Sequence, residues 1–191
     1  ATEIAKLRLF LKLVALLGPG DEIEPLPDID FNIRHGNTLV GYATKDELMK
    51  DLTFGDIFAR AEFEERVELE MQKVAKAYER FKEIQINQHD NIEEFKQAKG
   101  LLQSRLKELN ELLSHKMYAS ASKYTYEEWL SSHQPFHWLA EFYQIIQGNG
   151  GFDVIIGNPP YVEYTEIKMG YVIPNNTFRT YKSRNLYSFV F

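Results

Sequence analysis

The spacing of apolar residues in the middle of this chain limits its folding more than any other feature. Val67, Met71, Val74, Tyr78 and Phe81 follow one another at intervals of 4, 3, 4 and 3, a heptad seam. A polar break follows at Asn87-Gln88-His89-Asp90, and a second seam then runs through Leu102, Leu106, Leu109 and Leu113. Asn91 with Glu94 is close to a capping box and marks the start of the second helix. Two seams of similar length around a polar turn predict an antiparallel helical hairpin across the charged block from Phe54 to Tyr118. Such a hairpin reads as a solvated scaffold arm rather than a place for chemistry.

The flanking blocks have a different grammar. Ile4, Leu7, Leu11, Val14 and Leu17 share one face of an opening helix that Gly18-Pro19-Gly20 ends. Pro25 and Pro27 exclude helix from the extended stretch Ile23 to Asn32. Phe31-Asn32-Ile33-Arg34 then alternates like a strand into the turn His35-Gly36-Asn37. Beyond the hairpin, Trp129, Phe136, Trp138, Leu139, Phe142 and Ile145 predict an aromatic-rich helix that stops at Gly148-Asn149-Gly150-Gly151. Phe152 to Gly157 is a short apolar run suited to a strand buried on both faces, as in parallel sheets. It leads directly into Asn158-Pro159-Pro160-Tyr161. Helix, glycine loop, buried strand and polar loop predict an α/β fold, in which ligands sit at the carboxyl ends of strands.

Composition narrows the classes of function. With 191 residues the chain suits one domain carrying a sizeable insertion. No apolar run is long enough to span a bilayer, and the first residues lack the layout of a signal peptide, so no membrane partner is expected. The absence of cysteine excludes disulfides and thiolate metal sites within the chain and is compatible with a cytoplasmic home. A net charge of −6 argues against a self-sufficient nucleic-acid binder, because duplex affinity rests on Lys and Arg neutralising phosphates. Only the last stretch is locally basic, with Lys168, Arg179, Lys182 and Arg184. The chain opens without Met, inside a helical pattern, and stops at Ser-Phe-Val-Phe; it reads as a fragment of a longer protein.

The loop Asn158 to Tyr161 suits a particular chemical problem. The amino nitrogen of a nucleobase is a poor nucleophile because its lone pair is delocalised into the ring. Two acceptors on its two hydrogens draw it towards a tetrahedral shape and free that pair. An Asn side-chain oxygen and a neighbouring backbone carbonyl can do this, and consecutive prolines fix the carbonyl while offering no competing N–H. An adjacent aromatic can stack on the base, worth roughly 1–3 kcal/mol, which helps offset flipping it from the duplex. Acceptors fixed in this way act electrostatically, with no covalent intermediate. The competing reading is that Asn-Pro starts a turn and the Tyr merely packs. The apolar run ending in Gly157 favours the functional one.

Phe152 to Tyr164, FDVIIGNPPYVEY, resembles the motif IV region of gamma-class DNA adenine-N6 methyltransferases, and more narrowly those of type IIG restriction–modification enzymes. Leu26 to Tyr42 is similar to the segment carrying motif III, Gln134 to Trp138 to the stretch preceding motif IV, and Asn185 to Phe191 to motif V. The resemblance implies that Asn158 and the Pro159 carbonyl accept from the adenine N6 amine while Tyr161 stacks on the flipped base. It implies that Asn37 and Pro160 contact the adenine of the cofactor, S-adenosyl-L-methionine, and that the partner is double-stranded DNA in a bacterial cytoplasm. A further aromatic near motif V or beyond would complete the base stack. The implied fold is a partial Rossmann-like methyltransferase sheet interrupted by a long, coiled-coil-like hairpin insertion. Its implied parts are a partial core over residues 1–53, the hairpin over 54–122, and the core with the catalytic loop over 123–191. The glycine-rich motif for the methionine end of the cofactor and the acid for its ribose are missing from the chain. So are a target-recognition domain and any nuclease domain, and the fragment alone is expected to be inactive.

Other signals lead elsewhere and are weaker. Protein glutamine N5-methyltransferases also use an Asn-Pro-Pro-Tyr loop, but nothing in them calls for a long charged hairpin or for the Leu26 to Tyr42 segment. A non-catalytic interaction scaffold is the second alternative. Asp28 to Asn32 starts like a calcium loop, yet Ile33 and Leu39 stand where Gly and Glu are needed, and no metal is expected. His133 and His137 have i,i+4 spacing, but Pro135 between them points to aromatic packing or a surface position. Glu166-Ile167-Lys168 has the Glu-x-Lys form of restriction nucleases without a suitably placed upstream acid. The glycines at 148–151 precede their apolar run, the wrong side for a phosphate loop.

Overall fold

A computed structural model describes residues 2–18, 29–52, 57–87, 91–119, 123–158, 161–165, 170–173, 180–183 and 185–189. They fall into two units, residues 1–36 and 37–191.

The second unit is organised by two long helices, α4 (Ile57–Asn87) and α5 (Ile92–Tyr118), packed on one another. They run antiparallel. Near the turn the rings of Phe81 and Phe95 lie 5.3 Å apart, and at the open end the Lys116 ammonium stands 6.0 Å over Phe63. Val67, Met71, Val74, Ala77, Phe81 and Ile84 face Ala98, Leu102, Leu106, Leu109 and Leu113 in a dry seam. Each fully buried leucine there contributes roughly 1.5–3 kcal/mol relative to exposure. Ala77 takes the inward place rather than Tyr78, whose half-buried ring lies under the Lys82 ammonium at 5.2 Å. The Asn91 side chain accepts from the Glu94 amide at 3.1 Å and starts α5, while Glu94 also pairs with Arg80 across the turn.

Three short helices gather at the open end of this hairpin. They are α3 (Lys45–Asp51), α6 (Tyr126–His133) and α7 (Trp138–Glu141). Both α3 and α6 start in full capping boxes, Thr44 with Glu47 and Thr125 with Glu128, which satisfy amides that would otherwise be orphaned. The predicted continuous helix from Trp129 to Ile145 is instead broken after His133. Pro135 bars helical geometry from its predecessor, and Gln134 adopts the left-handed conformation at φ 44°. The chain resumes as α7 and then a single π-helical turn over Gln144–Gly148.

The break creates a joint. Residues 37–42 lie along residues 134–139, with the Asn37 amide donating to the Gln134 carbonyl at 2.7 Å. The Phe136 amide donates to Val40 at 2.7 Å and the Leu139 amide to Tyr42 at 3.1 Å. Gly41, at φ 149°, is the point of closest approach: a Cβ there would stand 2.1 Å from the Phe136 carbonyl oxygen. The joint is riveted to the hairpin by His137. Its Nδ1 accepts from the Tyr42 amide at 3.1 Å, so the ring proton is on Nε2 and is donated to Ser114 Oγ of α5 at 3.0 Å. Asn110 adds a bond to Glu141 at 2.7 Å, and Lys45 pairs with Glu68 at 2.9 Å.

The expected α/β architecture, with its partial Rossmann-like sheet, is not what the described residues form. They contain helices and two isolated bridges, Asn37 with Pro135 and Glu163 with Asn185, and no strand. Phe152 to Gly157 is extended, yet Val154, Ile155 and Ile156 are 73, 76 and 92% exposed. The physical reason is non-locality. A strand takes its hydrogen bonds from neighbours, and no other described segment offers it a ladder.

The first unit shows the same preference for local bonding. Phe31 to Arg34 was expected to be extended. Instead Ile29–Asn32 forms one helical turn, α2, closed by the Ile33 amide on the Ile29 carbonyl at 3.2 Å. The Arg34 guanidinium folds back over the Phe31 ring at 5.1 Å. Helix α1 (Thr2–Val14) buries none of its residues. Among the described residues, no helix is long and apolar enough to cross a membrane.

Candidate active site

The segment entering the loop Asn158 to Tyr161 is held at its start by rings. Phe152 meets Trp138 edge-on at 6.0 Å and Phe142 at 5.3 Å, and Trp138 itself donates from Nε1 to the Thr38 carbonyl at 3.3 Å. The Gly151 amide bonds to Ile145 at 3.1 Å, which ends the π-helical turn and releases the chain into extended form. From Asp153 to Asn158 the residues face water. Asn158 is thus presented at the end of an exposed segment. The predicted contributions of Pro159 and Pro160 lie outside the described residues.

Past the prolines the chain is pinned again. Tyr164 is buried with Ile173 and Leu186 in a small core, with Leu39 and Tyr171 packed against it. The Tyr164 hydroxyl accepts from the Ile173 amide at 2.9 Å and donates to the Tyr171 carbonyl at 3.4 Å. The Leu186 amide donates to the Val162 carbonyl at 2.9 Å, within the antiparallel bridge between Glu163 and Asn185. These bonds set the register between the residues after the loop and the residues around Tyr187. Tyr161 is 78% exposed, and its ring touches that of Tyr187 at 5.7 Å between centroids, inclined by 33°.

The support for this corner traces back to the joint. His133 is buried under Trp129, rings 5.3 Å apart and nearly parallel, and its Nε2 accepts from the Val172 amide at 3.2 Å. Burial holds its pKa below the ordinary histidine value, so the ring stays neutral and able to accept that bond. Trp129 belongs to a run of rings that continues through Tyr126 to His115 of α5, the last pair 3.9 Å apart. His133 and His137 are therefore two buried packing histidines, each fixed in one tautomer, rather than surface residues.

Asn37 sits at the other end of this support. Its side-chain oxygen accepts from the Leu39 amide at 3.2 Å, and its side chain also bonds the Tyr171 hydroxyl. Burial raises the Tyr171 pKa, with the Asn37 bond opposing it. Asn37 and Tyr171 meet at one edge of the small core and Tyr161 and Tyr187 at another. With its amide engaged on both sides, Asn37 has the geometry of a turn and packing residue. Of the two expected cofactor contacts, Asn37 is bonded within the protein at the edge of this core, and Pro160 lies outside the described residues. Tyr187 was not assigned a role from sequence. Its signal was its place in the Asn185 to Phe191 stretch, where an aromatic was expected without being identified.

A type II restriction enzyme and methyltransferase, so named, from Methanocaldococcus jannaschii is 31% identical over 211 residues, covering 84% of this chain. The chain spans 17% of the length of that relative. No solved structure matches the chain. The model of the Eco57I restriction-modification methylase family matches residues 1–191. With the match running the whole length of the chain, across both the joint and the Asn-Pro-Pro-Tyr loop, this chain belongs to the Eco57I restriction-modification methylase family.

Proposed function

We propose that the protein carrying this chain is a gamma-class, type IIG enzyme that methylates N6 of adenine in duplex DNA, and that Asn158 to Tyr161 faces the target base. The observation that carries this reading is the presentation of Asn158 and Tyr161. Both are exposed, separated only by Pro159 and Pro160 in sequence, on chain that is anchored by Phe152 on one side and by Tyr164 on the other. Asn158 Oδ1 and the Pro159 carbonyl accept from the two amine hydrogens and move electron density onto nitrogen. Tyr161 offers its face to the base. Because Asn rather than Ser opens the tetrapeptide, adenine is favoured over cytosine.

S-adenosylmethionine, the family's methyl donor, supplies the electrophile, and most of its binding is assigned to residues outside this chain. Asn37 and Pro160 face the adenine of the cofactor, but the chain has no glycine-rich loop between a strand and a helix to hold its methionine end. The 191-residue chain alone is therefore expected neither to methylate DNA nor to bind the cofactor with micromolar affinity. Titration calorimetry with S-adenosylmethionine and a methyl-transfer assay on unmethylated plasmid check both; a positive result in either refutes the assignment. In the full-length protein, Asn158→Ala is expected to lower methyl transfer by at least a hundredfold, in line with loss of a preorganised acceptor. Retained activity would leave this segment a scaffold. Methylation of release-factor protein in place of duplex DNA would establish a glutamine methyltransferase instead.

A further inference from the structure

We infer that Tyr187 is a positioning residue for the target base, acting through the Tyr161 ring; the inference rests on the reading of the catalytic loop above. Two exposed tyrosines in contact on an enzyme surface call for an explanation, because each leaves apolar ring area in water. Tyr161 follows two prolines and emerges on a segment that faces solvent. Left alone its ring would sample several rotamers, and stacking on a base would first have to order it. Tyr187 removes that freedom.

Tyr187 can do so because it is itself fixed. It lies in a tight turn, Leu186–Phe189, whose first residue is buried and whose Ser188 amide bonds back to Asn185 at 3.1 Å. The bridge of Glu163 with Asn185 and the Leu186 to Val162 bond tie that turn to the residues just after Tyr161. The geometry also says how a base is received. A base lying between two rings needs them about 7 Å apart, twice the ordinary contact distance. The centroids here are 5.7 Å apart and the planes are inclined by 33°. No base fits between them. Tyr187 therefore backs one side of Tyr161, and the base stacks on the side left open.

The test uses the full-length protein, with methyl-transfer kinetics on unmethylated DNA. A duplex carrying 2-aminopurine at the adenine that the wild-type protein methylates reports the stacking of the flipped base by its fluorescence. Tyr187→Ala is expected to reduce kcat/KM about three- to tenfold, mainly through KM, in keeping with the worth of one aromatic pair, and to brighten the flipped 2-aminopurine. Tyr187→Phe, which keeps the ring, should stay within twofold of wild type. Tyr187→Leu, which keeps volume but not a flat face, should behave as the alanine variant does and guards against a loss of folding. In a Tyr161→Ala background, Tyr187→Ala should add nothing. Wild-type kinetics and fluorescence in Tyr187→Ala, alongside an impaired Tyr161→Ala, would overturn the role of Tyr187 alone. So would independent, multiplying effects of the two substitutions. A Tyr161→Ala protein with unchanged kinetics would overturn the reading of the loop itself, and this proposal with it.

Discussion

His137 is wholly enclosed, and both of its ring nitrogens are used: one accepts from Tyr42 and the other donates to Ser114. Burial pulls its pKa down to about 3, so it stays neutral in the folded protein far below the pH at which it protonates in the unfolded chain. The sign follows. Between about pH 6.5 and 3 the unfolded state binds a proton that the native state refuses, so the stability His137 provides is complete above that window and is lost as pH falls through it. The slope is about 1.4 kcal/mol per pH unit for one proton. Urea unfolding at pH 6.5 and pH 5 should show wild type losing about 2 kcal/mol more than His137→Gln; parallel losses would mean the ring is charged or wet. Gly41→Ala is a second residue-scale case. The added methyl would meet the Phe136 carbonyl at 2.1 Å at a φ that L residues rarely adopt, and a loss of about 2–4 kcal/mol is expected in the same titration. Neither residue could be ranked from sequence. A glycine in Asn37 to Tyr42 looks like any loop glycine, and the i,i+4 histidines gave spacing without partners. The partners of His137 lie 95 and 23 residues away. Asn158 and Tyr161 can be proposed from sequence because the chemistry they suit needs only four adjacent residues.

At the scale of elements, legibility divides along the same line. The helix period is local, so the spacing of Leu102, Leu106, Leu109 and Leu113 marks the residues that lie buried between α4 and α5. The capping pairs Thr44 with Glu47 and Thr125 with Glu128 are equally local. The apolar run at 152–157 has no such self-sufficiency. Its side chains suit a strand, but a strand is a relation between segments, and the described residues supply no second one. The joint between residues 37–42 and 134–139 allows a sharp test of what the hairpin contributes. Because the joint bonds to Ser114 and Asn110, near the open end of α5, the far half of the arm is dispensable to it. Excising residues 75–101 and closing the helices with a short glycine turn should leave the tryptophan fluorescence transition of Trp129 and Trp138 cooperative. Leu109→Ala, by contrast, empties a fully enclosed site and should cost about 2–5 kcal/mol. Loss of cooperativity on excision, with Leu109→Ala well tolerated, would reverse this assignment of where the arm matters.

For the molecule as a whole, surface and order of assembly are the remaining consequences. Val154, Ile155 and Ile156 form an exposed apolar run of high β-propensity, the kind of segment that pairs with copies of itself. The isolated chain should self-associate as concentration rises, and Ile156→Lys with Val154→Thr should delay this in sedimentation velocity with no change in Tm. The net charge of −6 adds repulsion but is spread too widely to protect one short stretch. The joint carries a consequence of another kind. Tyr42 and His137 must find each other across 95 positions of chain, a search whose entropy grows with the logarithm of loop length. Helices form in about a microsecond, long before distant segments meet. Once α4 and α5 have zipped together, the span still to be closed is only the short connections beside them. The arm then acts in time as well as in space: it turns a long-range encounter into a nearly local one. Weakening the seam should therefore slow refolding, whereas weakening the joint should mainly hasten unfolding.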